Sequence, residues 1–250
     1  MALRSGNPAL RADTFTGYTT RVSGQVEGDV MTLNGVVHRT ALLLLFLIGT
    51  AGVTWKYAYA GQMQLVMSLM IGGLIGSTIL GFLTIFKKHL APKTAILYAL
   101  CEGLTLGGIS AVFEMQYPGI VIQAVSMTFG TLICLLAAYR SGLIKATENF
   151  KLGIVAATGG ICVAYLFSIV LGLFGINLLH NSSGLSIGLS LFVVTIAALN
   201  LVLDFDFIET GVEQRAPKYL EWYAAFGLMV TLIWLYLEIL RLLSKTRSRN

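Results

Sequence analysis

Apolar residues run along this chain in long unbroken stretches. They show neither the alternation of a strand nor the one-sided stripe of a surface helix. After a polar opening, seven such stretches follow, at 40–60, 65–86, 94–113, 118–139, 152–174, 185–203 and 222–243. Each is near the ~20 residues that a helix needs to cross a ~30 Å hydrocarbon core. The pattern predicts an all-α, polytopic membrane protein with seven transmembrane helices over 40–243. It is flanked by a polar cytosolic tail (1–39) and a short basic tail (244–250). Barrel strands would show ~10-residue alternation, which is absent. Pro92, Pro118 and Pro217 fall at or just before helix starts, where a missing N–H costs little. Gly175 and Gly184 separate two runs. Trp55, Tyr57, Tyr59, Tyr117, Tyr139, Trp222 and Tyr223 cluster at run ends, as an interfacial aromatic belt does. The segment from Asp29 to Leu33 reads either as a short interfacial helix or as a plain linker.

Composition narrows the class. Only 12% of the 250 residues are charged and 56% are hydrophobic, against about 25% charge in soluble domains. That excludes a soluble globular enzyme, and the apolar fraction excludes disorder. The net charge of +5 points to basic loops and not to nucleic acid. Lys87, Lys88 and Lys93 follow run two; Arg140, Lys145 and Lys151 follow run four; Arg215 and Lys218 follow run six. The alternate loops carry no Lys or Arg. By the positive-inside rule this predicts a cytoplasmic N-terminus. Seven crossings then put the C-terminus outside, although Arg241, Lys245, Arg247 and Arg249 favour the inside. Crossing is expected, with a re-entrant seventh run as the alternative. No apolar h-region opens the chain, so no cleavable signal peptide is expected. The sequon at Asn181 matters only in a host that glycosylates. Cys101, Cys134 and Cys162 read as small buried hydrophobes. No zinc-type spacing joins them to His38, His89 or His180. Glycines four apart, Gly72 with Gly76 and Gly103 with Gly107, read as close helix packing.

An ionisable side chain inside a membrane helix costs about 2.5–3.5 kcal/mol on insertion scales, so it is a functional candidate by default. Glu102 sits near the middle of run three with no basic residue within several turns. It reads either as a proton- or cation-binding carboxylate facing the bundle interior or as a hydrogen-bonded structural acid. Asn200 and Asp204 are four apart and share a helix face. Asp204 and Asp206 are about 200° apart around a helix and cannot face one cavity unless the helix unwinds. With Glu209 and Glu213 they form either a negative mouth at the end of run six or an ordinary solvated helix end. Glu238 and Arg241, three apart, read as a structural pair at the interface. Lys56 snorkels to the headgroups, and Glu114 reads as exposed. No GxSxG, HExxH or phosphate loop is present, so no enzyme activity, cofactor or firm metal site is expected.

At these residues the chain resembles the Bax inhibitor-1 family (the TMBIM group), in its bacterial YccA-like branch. The resemblance rests on Glu102-Gly103 in run three, Leu203-Asp204-Phe205-Asp206-Phe207-Ile208 ending run six, and Leu235 to Leu243 in run seven. It also rests on an opening with Asn7-Pro8-Ala9-Leu10, then Met31 to Gly35, then Thr40 to Leu43. It covers essentially the whole chain and implies six helices around a central seventh, in a bacterial plasma membrane. It further implies a pH-sensitive calcium or cation leak, sensed by an aspartate ending the sixth helix and a second in the seventh. The first matches Asp204. The second falls at Thr231, which cannot titrate, so the pair is incomplete here. Hard cations favour carboxylate and carbonyl oxygens. Asp204, Asp206, Glu102 and Asn200 are therefore the expected ion or proton pathway, with Ca²⁺ or protons as partners beside the lipid bilayer. The alternative is a non-conducting regulator that binds another membrane protein, such as a quality-control protease.

Overall fold

A computed structural model describes residues 30–173 and 184–248. The readings that rest on Asn7 to Leu10, Asp29, Gly175, His180 and the Asn181 sequon lie outside the described residues. Helix α1 spans Leu33–Tyr59 and α2 spans Met63–Phe86. A 3-10 turn at Lys88–Leu90 leads into α3, Ala91–Gln116. Then come α4 (Ile120–Arg140), α5 (Glu148–Leu173), α6 (Gly184–Glu213) and α7 (Leu220–Arg247). All seven are long and apolar enough to cross a membrane.

Two boundaries differ most from the apolar runs, for physical reasons. Helix α1 begins at Leu33, seven residues before Thr40, so the last part of the polar opening is helical. Thr32 starts it: its backbone is extended, and its hydroxyl accepts from the Gly35 N–H at 3.0 Å, as an N-cap does. Val30 and Met31 are neither interfacial helix nor plain linker. Val30 forms an antiparallel bridge with Pro217, and the Met31 N–H donates to Ala216 O at 2.7 Å. Helix α6 does not end at Leu203. It continues through the acids to Glu213, because Phe205, Phe207 and Ile208 keep its inner face buried. At 1.5 Å per residue, Asp204 therefore lies about 13 Å inside the helix end.

Helix α7 is the axis of the bundle. It packs on α1, α3, α4 and α6, while α2 covers α3 and α5 covers α6. In its membrane window 61% of residues are buried, against 11% for α5, so α5 is mostly a lipid-facing wall. Helix α3 is held between α1 and α2 by small residues. A side chain at Gly103 or Gly107 would collide with the α1 backbone at Leu47 and Ala51, and one at Gly108 would collide with Met70 of α2. On α2 it is Gly73 and Gly76 that approach α3, while Gly72 faces open space. The cysteines depart from the expectation of burial: all three are free, and Cys134 and Cys162 are exposed on the outer surface.

The seventh helix crosses fully, which removes the re-entrant alternative. Its start lies beside the Val30–Pro217 bridge. At its far end Arg247 donates to Pro118 O at 2.8 Å and to Gln123 Oε1 at 3.0 Å, both at the α3–α4 turn. Ser248 therefore lies on the face opposite Leu33.

Candidate functional site

The α6–α7 register is fixed at both ends. The turn joins Glu213 to Leu220. At the other end Lys245 Nζ reaches Ser186 Oγ at 2.8 Å and Ser190 Oγ at 2.9 Å. The two helices are antiparallel, so Asp204 falls opposite Met229, within about one turn of Thr231. Asp204 is 0% exposed, Asn200 2% and Thr231 3%. The face of α7 that carries Thr231 also carries Trp234, Glu238, Arg241 and Lys245, because these positions recur every three or four residues.

A polar seam results. Starting from Asp204, Asn200 lies one turn along α6. Its Nδ2 donates to Thr158 Oγ1 of α5 at 2.9 Å and to Ile196 O at 2.8 Å. Next comes Glu238 of α7, 2% exposed. Its Oε1 accepts from Tyr165 Oη of α5 at 2.9 Å, and Arg241 Nη1 donates to its two oxygens at 2.9 and 3.0 Å. Arg241 also donates to Tyr165 Oη at 2.7 Å and lies over that ring at 5.2 Å. Lys245, with its two serines, closes the seam at the far membrane face. Glu238 lies about 13 Å inside the end of α7.

The other predicted acids are placed elsewhere. Helix α6 stays wound, so Asp206 points away from Asp204. It pairs with Lys151 Nζ at 2.6 Å. Glu209 accepts from Tyr139 Oη at 2.5 Å. The expected negative mouth is thus partly neutralised, because Lys151 and Tyr139 pack against it from α4 and α5. Glu102 is half-buried beside Ser77 of α2, in the α2–α3 layer and not with the α6–α7 acids. Glu114 is no simple exposed acid. It accepts from the Gly119 N–H at 2.5 Å and the Val121 N–H at 3.0 Å, serving the unpaired donors that open α4. Lys56 is exposed near the end of α1.

Among the described residues no three of His, Cys, Asp and Glu converge. A cation in the seam would meet one carboxylate at a time, with amide and hydroxyl oxygens between.

Sequence reasoning missed Glu221. It is 0% exposed and accepts from the Thr32 N–H at 2.8 Å and Thr32 Oγ1 at 2.9 Å. Arg39 of α1 pairs with it and lies 5.3 Å over the Trp222 ring. A Glu beside Trp at a run start reads as solvated, and only the tertiary approach of α1 buries it. Tyr165 left a fainter signal. It is a hydroxyl in the middle of run five, where most tyrosines of this chain sit at run ends.

A family model described as Bax inhibitor 1 like matches residues 7–248. No curated protein and no solved structure matches the chain.

Proposed function

Because the chain belongs to the Bax inhibitor 1 like family, we propose that this multi-pass membrane protein is a pH-sensitive cation leak. Its path is the α5–α6–α7 seam. One observation carries the reading: Asp204, Asn200 and Glu238 lie in line along adjacent helices, each at most 2% exposed. A buried carboxylate is expensive in a membrane, and here two of them stand about 13 Å apart with an amide between. Carboxylate, amide and hydroxyl oxygens are the ligands a hard cation such as Ca²⁺ prefers.

Arg241 and Lys245 make the described state a closed one. They place two positive charges between Glu238 and the far face, and these repel an approaching cation. Opening requires Arg241 to leave Glu238. The Glu238 carboxylate is what holds it there, so Glu238→Gln is expected to raise flux. Thr231 stands at the position of the second expected aspartate, and Glu238 is the buried carboxylate that α7 carries instead.

The test is Ca²⁺ flux into dye-loaded proteoliposomes at pH 6, 7 and 8, with Glu238→Gln and Glu102→Gln beside wild type. Flux above empty liposomes that changes with pH and is altered by Glu238→Gln supports the seam. Flux that responds to Glu102→Gln instead moves the path to the α2–α3 layer. No flux from folded protein sinks the leak and leaves the regulatory reading.

A further inference from the structure

Helices α1 and α4 both pack on α3 and α7 and make little or no contact with one another. The gap between them is a cleft of about 360 Å³ that opens sideways toward the bilayer. Leu44, Gly52 and Trp55 of α1 form one wall, Val121 and Phe129 of α4 the other, and Leu232 of α7 lies at the back. We propose that this cleft holds an acyl chain of a membrane phospholipid.

Length and depth select that occupant. From Leu44 to Trp55 the cleft runs about 16 Å along α1, which matches one leaflet of a ~30 Å hydrocarbon core. It lies in the half of the membrane that contains the α3–α4 turn. Its volume is about twelve times the ~30 Å³ share of a water molecule, room for most of one chain. Its lining is almost wholly apolar. Its three hydroxyls are each in a hydrogen bond, Ser110 Oγ and Tyr236 Oη with one another at 2.7 Å and Thr128 Oγ1 donating to Ala124 O at 2.8 Å, and the Trp55 indole nitrogen is at the rim. So apolar a site favours acyl chains over water. The rim suits a headgroup. Trp55 stacks on Tyr59 at 5.5 Å, an interfacial aromatic pair. At the rim Lys56 stands one residue past Trp55 and Arg247 at the first turn of α4, two cations against the one carboxylate of Glu114, which is taken up by the Gly119 and Val121 N–H groups. The cations favour an anionic phospholipid over a free fatty acid.

Gly52 provides the test, because nothing lies within 4 Å of a Cβ placed there. Gly52→Leu extends a side chain into the cleft from α1, and Val125→Phe narrows it from α4. Native mass spectrometry of the detergent-purified protein should show one retained phospholipid on wild type and several-fold less on both variants. Added dioleoylphosphatidylglycerol should raise the melting temperature of wild type and leave that of the variants unchanged. Oleate should do less than the phospholipid. Equal retention and equal thermal response in wild type and both variants would overturn the site. A response to oleate as large as that to the phospholipid would overturn the headgroup assignment.

Discussion

Arg39→Ala removes the cation paired with Glu221, whose side chain is 1% exposed against 18% for Arg39. The carboxylate stays buried, held only by the two Thr32 donors. Breaking a buried pair by removing one partner costs about 3–5 kcal/mol, because the remaining charge is uncompensated. The lost stacking of Arg39 on Trp222 adds about 0.5–2 kcal/mol. Glu221→Ala acts through a different route. It takes the acceptor from the Thr32 N–H and hydroxyl, and because Thr32 is exposed these turn to water, so the cost is about 0.5–1.5 kcal/mol for each bond. In the double variant no charge is left unpaired, so its cost should fall short of the sum by at least about 2 kcal/mol. That is roughly thirtyfold in the unfolding equilibrium. The assay is an SDS titration of bicelle-reconstituted protein followed by far-ultraviolet circular dichroism, since Trp222 fluorescence would itself respond to Arg39. Additivity of the two single variants within about 0.5 kcal/mol would refute the pairing. So would an Arg39→Ala cost below 1 kcal/mol, the range of an exposed pair.

Other consequences are open to direct measurement. Gly107→Leu should lower stability by several kcal/mol in the same titration, because the side chain meets the α1 backbone at Ala51 and overpacking costs about 1–3 kcal/mol even where neighbours can shift; Gly72→Leu, in open space, should cost far less. A cysteine at Ser248 and one at Lys218, each in a background lacking Cys101, Cys134 and Cys162, should react with an impermeant maleimide from opposite sides of the membrane; labelling from one side would contradict a crossing α7. Glu114→Gln should weaken the start of α4, read as faster amide exchange at Gly119 and Val121, while Glu114→Asp partly restores it.

The fold was largely legible in the sequence because membrane spans are set by length and apolarity, and all seven runs became helices. What the runs could not show was where a helix continues past its apolar window. The stretch from Leu33 to Arg39 and the acids from Asp204 to Glu213 are helical because tertiary neighbours accept their polar groups: Glu221 for Thr32 and Arg39, Lys151 for Asp206, Tyr139 for Glu209. The site was partly legible. The i, i+4 spacing of Asn200 and Asp204 and the i, i+3 spacing of Glu238 and Arg241 each described one helix correctly. Their alignment into a seam depends on the antiparallel register of α6 and α7 and on α5 supplying Thr158 and Tyr165, which no single-helix pattern contains. The same limit explains Glu102. It looked like a partner of the α6 acids, and helix packing assigned it to another layer.

Asp204 and Asp206 provide the most direct test of the account, being two residues apart on one unbroken helix and facing opposite ways. Proteoliposome Ca²⁺ flux at pH 6, measured in parallel for wild type, Asp204→Asn and Asp206→Asn, separates the buried seam from the α6 surface. The account predicts that Asp204→Asn changes flux several-fold while Asp206→Asn, which disturbs only the Lys151 pair, stays near wild type. Equal effects of the two, or a change confined to Asp206→Asn, would contradict it.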